Sequence, residues 1–254
     1  MCQAALPRGL RVRTGDDPRP RGACMQNSLY QCEEFGTSPQ TAATIIFVCP
    51  FDTSIQRVRL AIRRLCREGY RVVAYQTTSA VFMDADPTIL PELISEVRED
   101  IRARIAKLKS QDVTDFGFFG SSLGSFILYN CIGHEIPELR WGVFNTGGNI
   151  ARGLWRIPAV KQRHVKRGWS LPRLEEAWAE LQWPEFGRLD GCRFAFVSSR
   201  RDRIAPLSNI SQYLEPMRRA GAGVSVHEVP AIGHITAVIM GLWKGPHLVR
   251  MVRT

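Results

Sequence analysis

Residues 113–131 read VTDFGFFGSSLGSFILYNC: a short apolar run, then Gly120-Ser121-Ser122-Leu123-Gly124, then apolar residues at helical spacing. A chain that turns this sharply from strand to helix has few ways to fold. The strand must be buried, and the helix must pack back across it. Phe116–Phe119 (FGFF) supplies the strand, while Leu123, Phe126, Ile127, Asn130 and Cys131 recur at three- and four-residue intervals. The turn between them is a G-x-S-x-G elbow, which strains its central serine and projects the hydroxyl into a cleft beside the following helix N-terminus. A side chain at Gly120 or Gly124 would crowd the elbow against the strand or helix that it joins. Ser122 lies between those glycines and is the candidate nucleophile; Ser121 and Ser125 are rival hydroxyls without that position.

The strand-then-helix rhythm continues on both sides of the elbow. Thr44–Cys49 (TIIFVC) is a β-rich run suited to a strand buried on both faces. Ile55, Val58, Ile62, Leu65 and Cys66 then share a helical face, with Arg57, Arg59, Arg63, Arg64 and Arg67 mostly outside it and Gly69 as the stop. Tyr70–Tyr75 is the next strand, and Leu90, Ile94, Val97, Ile101, Ile105 and Leu108 mark a long amphipathic helix. Strands follow over 140–144, 192–198 and 224–229, with a helix over 208–220, and 29–35 reads as an early edge strand. Such alternation predicts an α/β fold, a mostly parallel sheet covered on both faces. Residues 150–190 interrupt it with helical, Trp-rich sequence. Residues 1–28, rich in Arg, Pro and Gly, read as a flexible extension, leaving 29–254 as one domain.

Charge narrows the partners. The net +10 is not spread evenly, because residues 1–32 carry +3 and residues 150–173 carry +7 with no acid, while the remaining 22 basic and 22 acidic residues cancel. No nucleic-acid motif accompanies the basic residues, so no nucleic acid is expected as partner. No apolar run approaches the roughly 18 residues of a membrane span, and the N-terminus has no apolar segment of secretory type. The seven cysteines are scattered without a C-x-x-C pair, which fits reduced thiols better than disulfides or a zinc site. A cytoplasmic protein is expected.

A serine hydroxyl needs a base to take its proton, and the base needs an orienting partner. In an open parallel sheet, functional residues gather in loops beyond the C-terminal ends of strands. Asp202, in the loop after the 192–198 strand, can fix an imidazole tautomer; Asp190 lies at the wrong end of that strand. Of five histidines, His234 alone sits in a loop beyond the last strand, next to a glycine. His227 is inside that strand, His134 and His247 are near helix ends, and His164 is in the basic segment. Acyl transfer also requires donors for an oxyanion. The Leu123 amide is one. The other comes from Cys49-Pro50-Phe51-Asp52; Pro50 has no N–H, so Phe51 is first choice and Asp52 second.

On FGFFGSSLGS, Asp202-Arg-Ile-Ala-Pro206 and Gly233-His234, in the order Ser, Asp, His, the chain resembles the α/β-hydrolase superfamily over roughly residues 29–254. The stretch LAIRRLCREGYRVVAY is similar to the segment between that family's oxyanion loop and next strand. Two departures stand out: Cys49-Pro50 replaces the His-Gly of most relatives, and there is no HGGG run. The resemblance implies an α/β-hydrolase fold with residues 150–190 as a helical cap. It implies a serine esterase or lipase-like enzyme with catalytic Ser122, Asp202 and His234 and no metal or organic cofactor. Trp155 from the cap and Phe51 are the candidate substrate-binding side chains, suited to an apolar acyl group. The bland alternative makes the cap's tryptophans its own small core. The basic cap could meet an anionic lipid surface, or a phosphorylated acyl carrier if the enzyme is a thioesterase or acyltransferase. A non-catalytic ligand-binding member of the fold is the third alternative.

Overall fold

The computed structural model describes residues 25–26, 29–36, 43–77, 86–182 and 184–254. Eight strands are found among them: β1 (Met25–Gln26), β2 (Tyr30–Phe35), β3 (Thr44–Val48), β4 (Arg71–Thr77), β5 (Phe116–Ser121), β6 (Leu139–Asn145), β7 (Arg193–Ser198) and β8 (Gly223–Glu228). The helices are α1 (Ile55–Arg67), α2 (Ile89–Lys109), α3 (Leu123–Tyr129), α4 (Ile150–Trp155), α5 (Pro158–Lys166), α6 (Leu171–Ala177), α7 (Ala179–Gln182), α8 (Leu207–Arg219) and α9 (His234–Arg253).

The strands form one sheet in the order β1-β2-β4-β3-β5-β6-β7-β8. Pairing is parallel from β4 through β8, whereas β2 runs antiparallel to β4 and β1 antiparallel to β2. The expected edge strand at 29–35 is therefore next to the edge. Met25–Gln26, which fell in the expected extension, pair with Gln31 and Cys32 and form the outermost strand; residues 1–24, 27 and 28 lie outside the described residues. Two residues carry too little periodicity to betray a strand in sequence.

Strand order locates the functional edge. From β3 the chain crosses through α1 to β4 on one side, whereas from β5 it crosses through α3 to β6 on the other. β3 and β5 are adjacent and their connections diverge, which opens a crevice beyond their C-terminal ends. The loop after β3 and the elbow after β5 face each other there. α1, α3 and α8 each follow a parallel strand and so begin at that edge, and α9 begins there after β8.

Residues alternate between two apolar layers, as the pleat of strands buried on both faces demands. Ile46, Val48, Phe118, Phe144 and Phe196 face α2, α3, α8 and the inserted helices. Ile45, Phe47, Phe119, Val143 and Val197 face α1 and α9. The helix after β8 starts at His234, so that residue opens a helix rather than sitting in a loop.

The sheet holds α9 at close range. A Cβ built on Gly241 would lie 1.8 Å from Asn145 Oδ1, and one on Gly245 would lie 3.0 Å from Phe119. Asn145 is buried at the end of β6 and donates to Ser121 Oγ at 2.9 Å and to the Val238 carbonyl at 3.0 Å. Gly241→Ala is expected to push α9 off this residue and destabilise the protein by about 1–3 kcal/mol, measured by denaturant unfolding.

Candidate active site

Ser122 joins β5 to α3 with φ 52° and ψ −115°, a conformation that costs a residue with a Cβ roughly 1–3 kcal/mol. The surroundings enforce it. The Ser122 N–H donates to the Asn145 carbonyl at 2.8 Å, and the Ser122 carbonyl accepts from Ser125 N–H at 3.0 Å. Ser125 Oγ donates back to the Gly120 carbonyl at 2.8 Å. Both glycines are steric requirements: a Cβ on Gly120 would meet the Gly124 carbonyl oxygen at 2.6 Å, and one on Gly124 the Val48 carbonyl oxygen at 2.1 Å. Of the three serines, only Ser122 reaches His234; Ser121 and Ser125 are buried and bonded to the elbow's own framework.

Asp202 and His234 complete a chain of hydrogen bonds. Ser122 Oγ lies 2.9 Å from His234 Nε2, and His234 Nδ1 lies 2.7 Å from Asp202 Oδ2. Asp202 has no exposed side-chain surface, while the His234 side chain keeps 14% of its own. The other carboxylate oxygen, Oδ1, accepts the amides of Ile204 and Ala205, each at 2.9 Å. Burial pushes the Asp202 carboxyl up. The hydrogen bond and charge of His234, with the Ala205 and Ile204 amides, outweigh that and hold it below the ordinary 3.8. An ionised carboxylate only accepts, so Nδ1 carries the proton and Nε2 presents its lone pair to Ser122.

Neighbouring loops keep this geometry. Ser199 Oγ donates to the Ala231 carbonyl at 2.9 Å, tying the Asp202 loop to the chain that leads into His234. The Gly233 N–H donates to Thr236 Oγ1 at 3.1 Å, which closes the first turn of α9. Asn145, Ser199 and Thr236 are positioning residues absent from the sequence reading. Asn145 left one trace, a lone polar residue ending the apolar run WGVFN.

Opposite the elbow, Cys49 N–H continues the sheet by donating to the Tyr75 carbonyl at 2.9 Å. Pro50 has no N–H, and its carbonyl accepts from Thr53 at 3.2 Å, closing a turn over Phe51 and Asp52. Asp52 takes φ 51° in that turn. Burial raises the Cys49 thiol far above its usual range, so it stays a neutral packing group. Leu123 opens α3, ahead of the first intrahelical hydrogen bond.

The inserted segment folds as α4–α7. Trp178 is buried within the layer that covers the sheet, and its Nε1 donates to the Pro87 carbonyl at 2.8 Å. Trp178 thus joins the main core, with Trp155 and Trp169 packed against it, rather than forming a separate one. Trp155 is half-buried on α4, with Lys161 Nζ 5.8 Å from its ring centre, and Phe51 is half-buried against the same layer. Arg156 donates to the Arg203 carbonyl at 2.9 Å, which anchors α4 beside Asp202. Trp183 lies outside the described residues. Among the described residues no group of three or more His, Cys, Asp or Glu could hold a metal, and no helix is long and apolar enough to cross a membrane.

A depressed carboxyl pKa stabilises the fold above the unfolded value and loses that contribution as pH falls through the folded value. Asp202→Asn removes it at every pH. The stability gap between wild type and Asp202→Asn is expected to be constant above pH ~5 and to shrink below pH ~4, read from urea midpoints across that range.

No family model and no curated protein matches the sequence. Solved structures do match in shape. An esterase of Pyrococcus furiosus aligns with a TM-score of 0.61 at 13% identity, over 89% of this chain and 89% of that one. An acylaminoacyl peptidase of Pyrococcus horikoshii aligns at 0.64 and 13% identity, over 85% of this chain and 37% of that one. An esterase of Exiguobacterium antarcticum aligns at 0.54 and 13% identity, over 89% and 96%. This chain has the α/β-hydrolase fold.

Proposed function

We propose that the protein is a serine hydrolase that cleaves carboxylic esters through an acyl-enzyme on Ser122. The observation that carries this reading is the continuous chain from Ser122 Oγ through His234 to Asp202, at 2.9 and 2.7 Å, with the serine on a strained elbow. The esterases among its structural neighbours support it at a general level.

Nε2 of His234 takes the hydroxyl proton as Oγ attacks the ester carbonyl, and Asp202 stabilises the imidazolium that forms. The carbonyl oxygen becomes an oxyanion, received by the amides of Leu123 and Phe51. Cys49 has given its amide to the sheet and Pro50 has none, so Phe51 leads and Asp52 follows in this loop. His234 then protonates the leaving alcohol. Water, deprotonated by the same nitrogen, attacks the acyl-enzyme, and the acid leaves as Ser122 regains its proton. Phe51 and Trp155 supply the apolar side of the acyl site. The chemistry of this residue set needs no metal or organic cofactor.

A fluorophosphonate probe is expected to label wild type and not Ser122→Ala; equal labelling of both ends the nucleophile assignment. Asp202→Asn keeps an oxygen for the Ile204 and Ala205 amides but offers an NH₂ to Nδ1. That selects the tautomer with hydrogen on Nε2, and kcat on a soluble ester is expected to fall about 10⁴-fold with the fold retained by circular dichroism.

The basic residues of the inserted segment favour one variant of this reading, a thioesterase or acyltransferase whose acyl donor is a phosphorylated carrier. Matched oxygen esters and thioesters separate the two. Faster turnover of the oxygen ester is the expected result.

A further inference from the structure

Large apolar side chains are exposed in one place more than elsewhere. Ile235, Ile239 and Trp243 stand on α9 at 74%, 57% and 63% exposure, with Ile232 just before the helix at 75%. Four-residue spacing puts the three on one outward stripe, opposite the face that Ala237, Gly241, Gly245, Leu248 and Val252 press on the sheet. α1 runs beside α9 in the same direction. Arg64, nine residues beyond the first residue of α1, stacks its guanidinium 4.2 Å from the ring of Trp243, nine residues beyond the first of α9. Leu60, one turn earlier on α1 and 59% exposed, is therefore level with Ile239.

The charge that the two helices themselves carry has one sign. α1 and α9 contain eight Lys and Arg residues and no Asp or Glu. Arg250 and Arg253 are paired, with Glu68 and Asp115. Arg57, Arg63, Arg67 and Lys244 are exposed and make no ion pair among the described residues. Arg57, Arg63, Arg64 and Arg67 lie three, three, four and seven residues from Leu60, so they ring it on the outer face. The inserted segment is basic too, but Val165 is its only large exposed apolar side chain among the described residues.

We propose that the outer face of α1 and α9 docks the protein on an anionic lipid bilayer. Ile235, Ile239, Trp243 and Leu60 enter the headgroup region, where a tryptophan at the apolar–polar boundary is favoured, while the free cations meet lipid phosphates. Pairing with a second copy through this face would bring together two sets of cations, Arg57, Arg63, Arg67 and Lys244, whereas Glu68 and Asp115 are already taken by Arg250 and Arg253. α9 begins at His234, so docking brings the Ser122–His234 pair to the lipid surface. That consequence rests on the ester-hydrolase reading; the docking does not.

The test is sedimentation of the full chain with vesicles of phosphatidylcholine alone and of an equimolar mixture with phosphatidylglycerol, beside hydrolysis of a short soluble ester. Binding is expected to the anionic vesicles, to weaken as salt is raised, and to fall about tenfold or more in Ile239→Asp/Trp243→Ala and in Arg57→Glu/Arg63→Glu. Both double variants keep wild-type melting temperature and soluble-ester hydrolysis. No binding by wild type, or equal binding by wild type and variants, overturns the proposal. So does self-association abolished by the same substitutions in the absence of vesicle binding. Soluble-ester hydrolysis without vesicle binding overturns the docking alone. Vesicle binding without hydrolysis upholds the docking and removes the enzyme reading.

Discussion

A carboxylate with no exposed surface must have its charge answered by hydrogen bonds, or it takes up a proton. At Asp202 the answer is complete: two backbone amides on one oxygen and His234 on the other. This fixes more than the acid. It dictates which imidazole nitrogen carries hydrogen, and hence that Nε2 has a lone pair for Ser122. It requires the loop after β7 to curl back on itself, and that loop in turn anchors α4 through Arg156. Ser199 couples the same loop to the residues entering α9. The site is thus assembled from three loop ends, with Asp202 as the common point of reference.

The elbow shows the complementary case, in which backbone strain is held by packing. Ser122 stays at positive φ because its amide is bonded to β6 and its helix lies against the end of β3. Asn145 contributes twice: its carbonyl accepts from Ser122, and its side chain joins β5 to α9. The helix that opens with His234 and the strand that leads to Ser122 therefore share one buried amide side chain.

Much of this was legible in the sequence, for definable reasons. Strands buried on both faces read as continuous apolar runs, and Gly120 follows from sterics that act within five residues, whereas Gly124 answers to the Val48 carbonyl of the neighbouring strand. Asp202 and His234 stand out in the sequence because each follows a strand closely, and their side chains meet beside Ser122. What escaped depends on distant chain. β1 is two residues long and exists only through pairing with β2. The sequence puts His234 in the loop beyond the last strand, beside Gly233, yet the backbone turns helical at once, with Thr236 accepting the Gly233 amide. The inserted tryptophans read as a pocket wall or as a private core. Trp178 belongs to the main core rather than a private one, through a contact with the carbonyl of Pro87 that no local pattern encodes.

The parallel topology has a cost for turnover on the proposed reaction. α1, α3 and α9 begin at the same edge of the sheet, and their N-terminal dipoles add there. That positive potential favours an oxyanion during acyl transfer. It favours equally the carboxylate that ester cleavage leaves behind, since both are oxygen anions in the same place. Among the described residues, the turn over that crevice adds a single fixed negative charge, the exposed Asp52. On that reaction this potential opposes release of the acid, and the ionised Asp202 behind His234 offsets part of it.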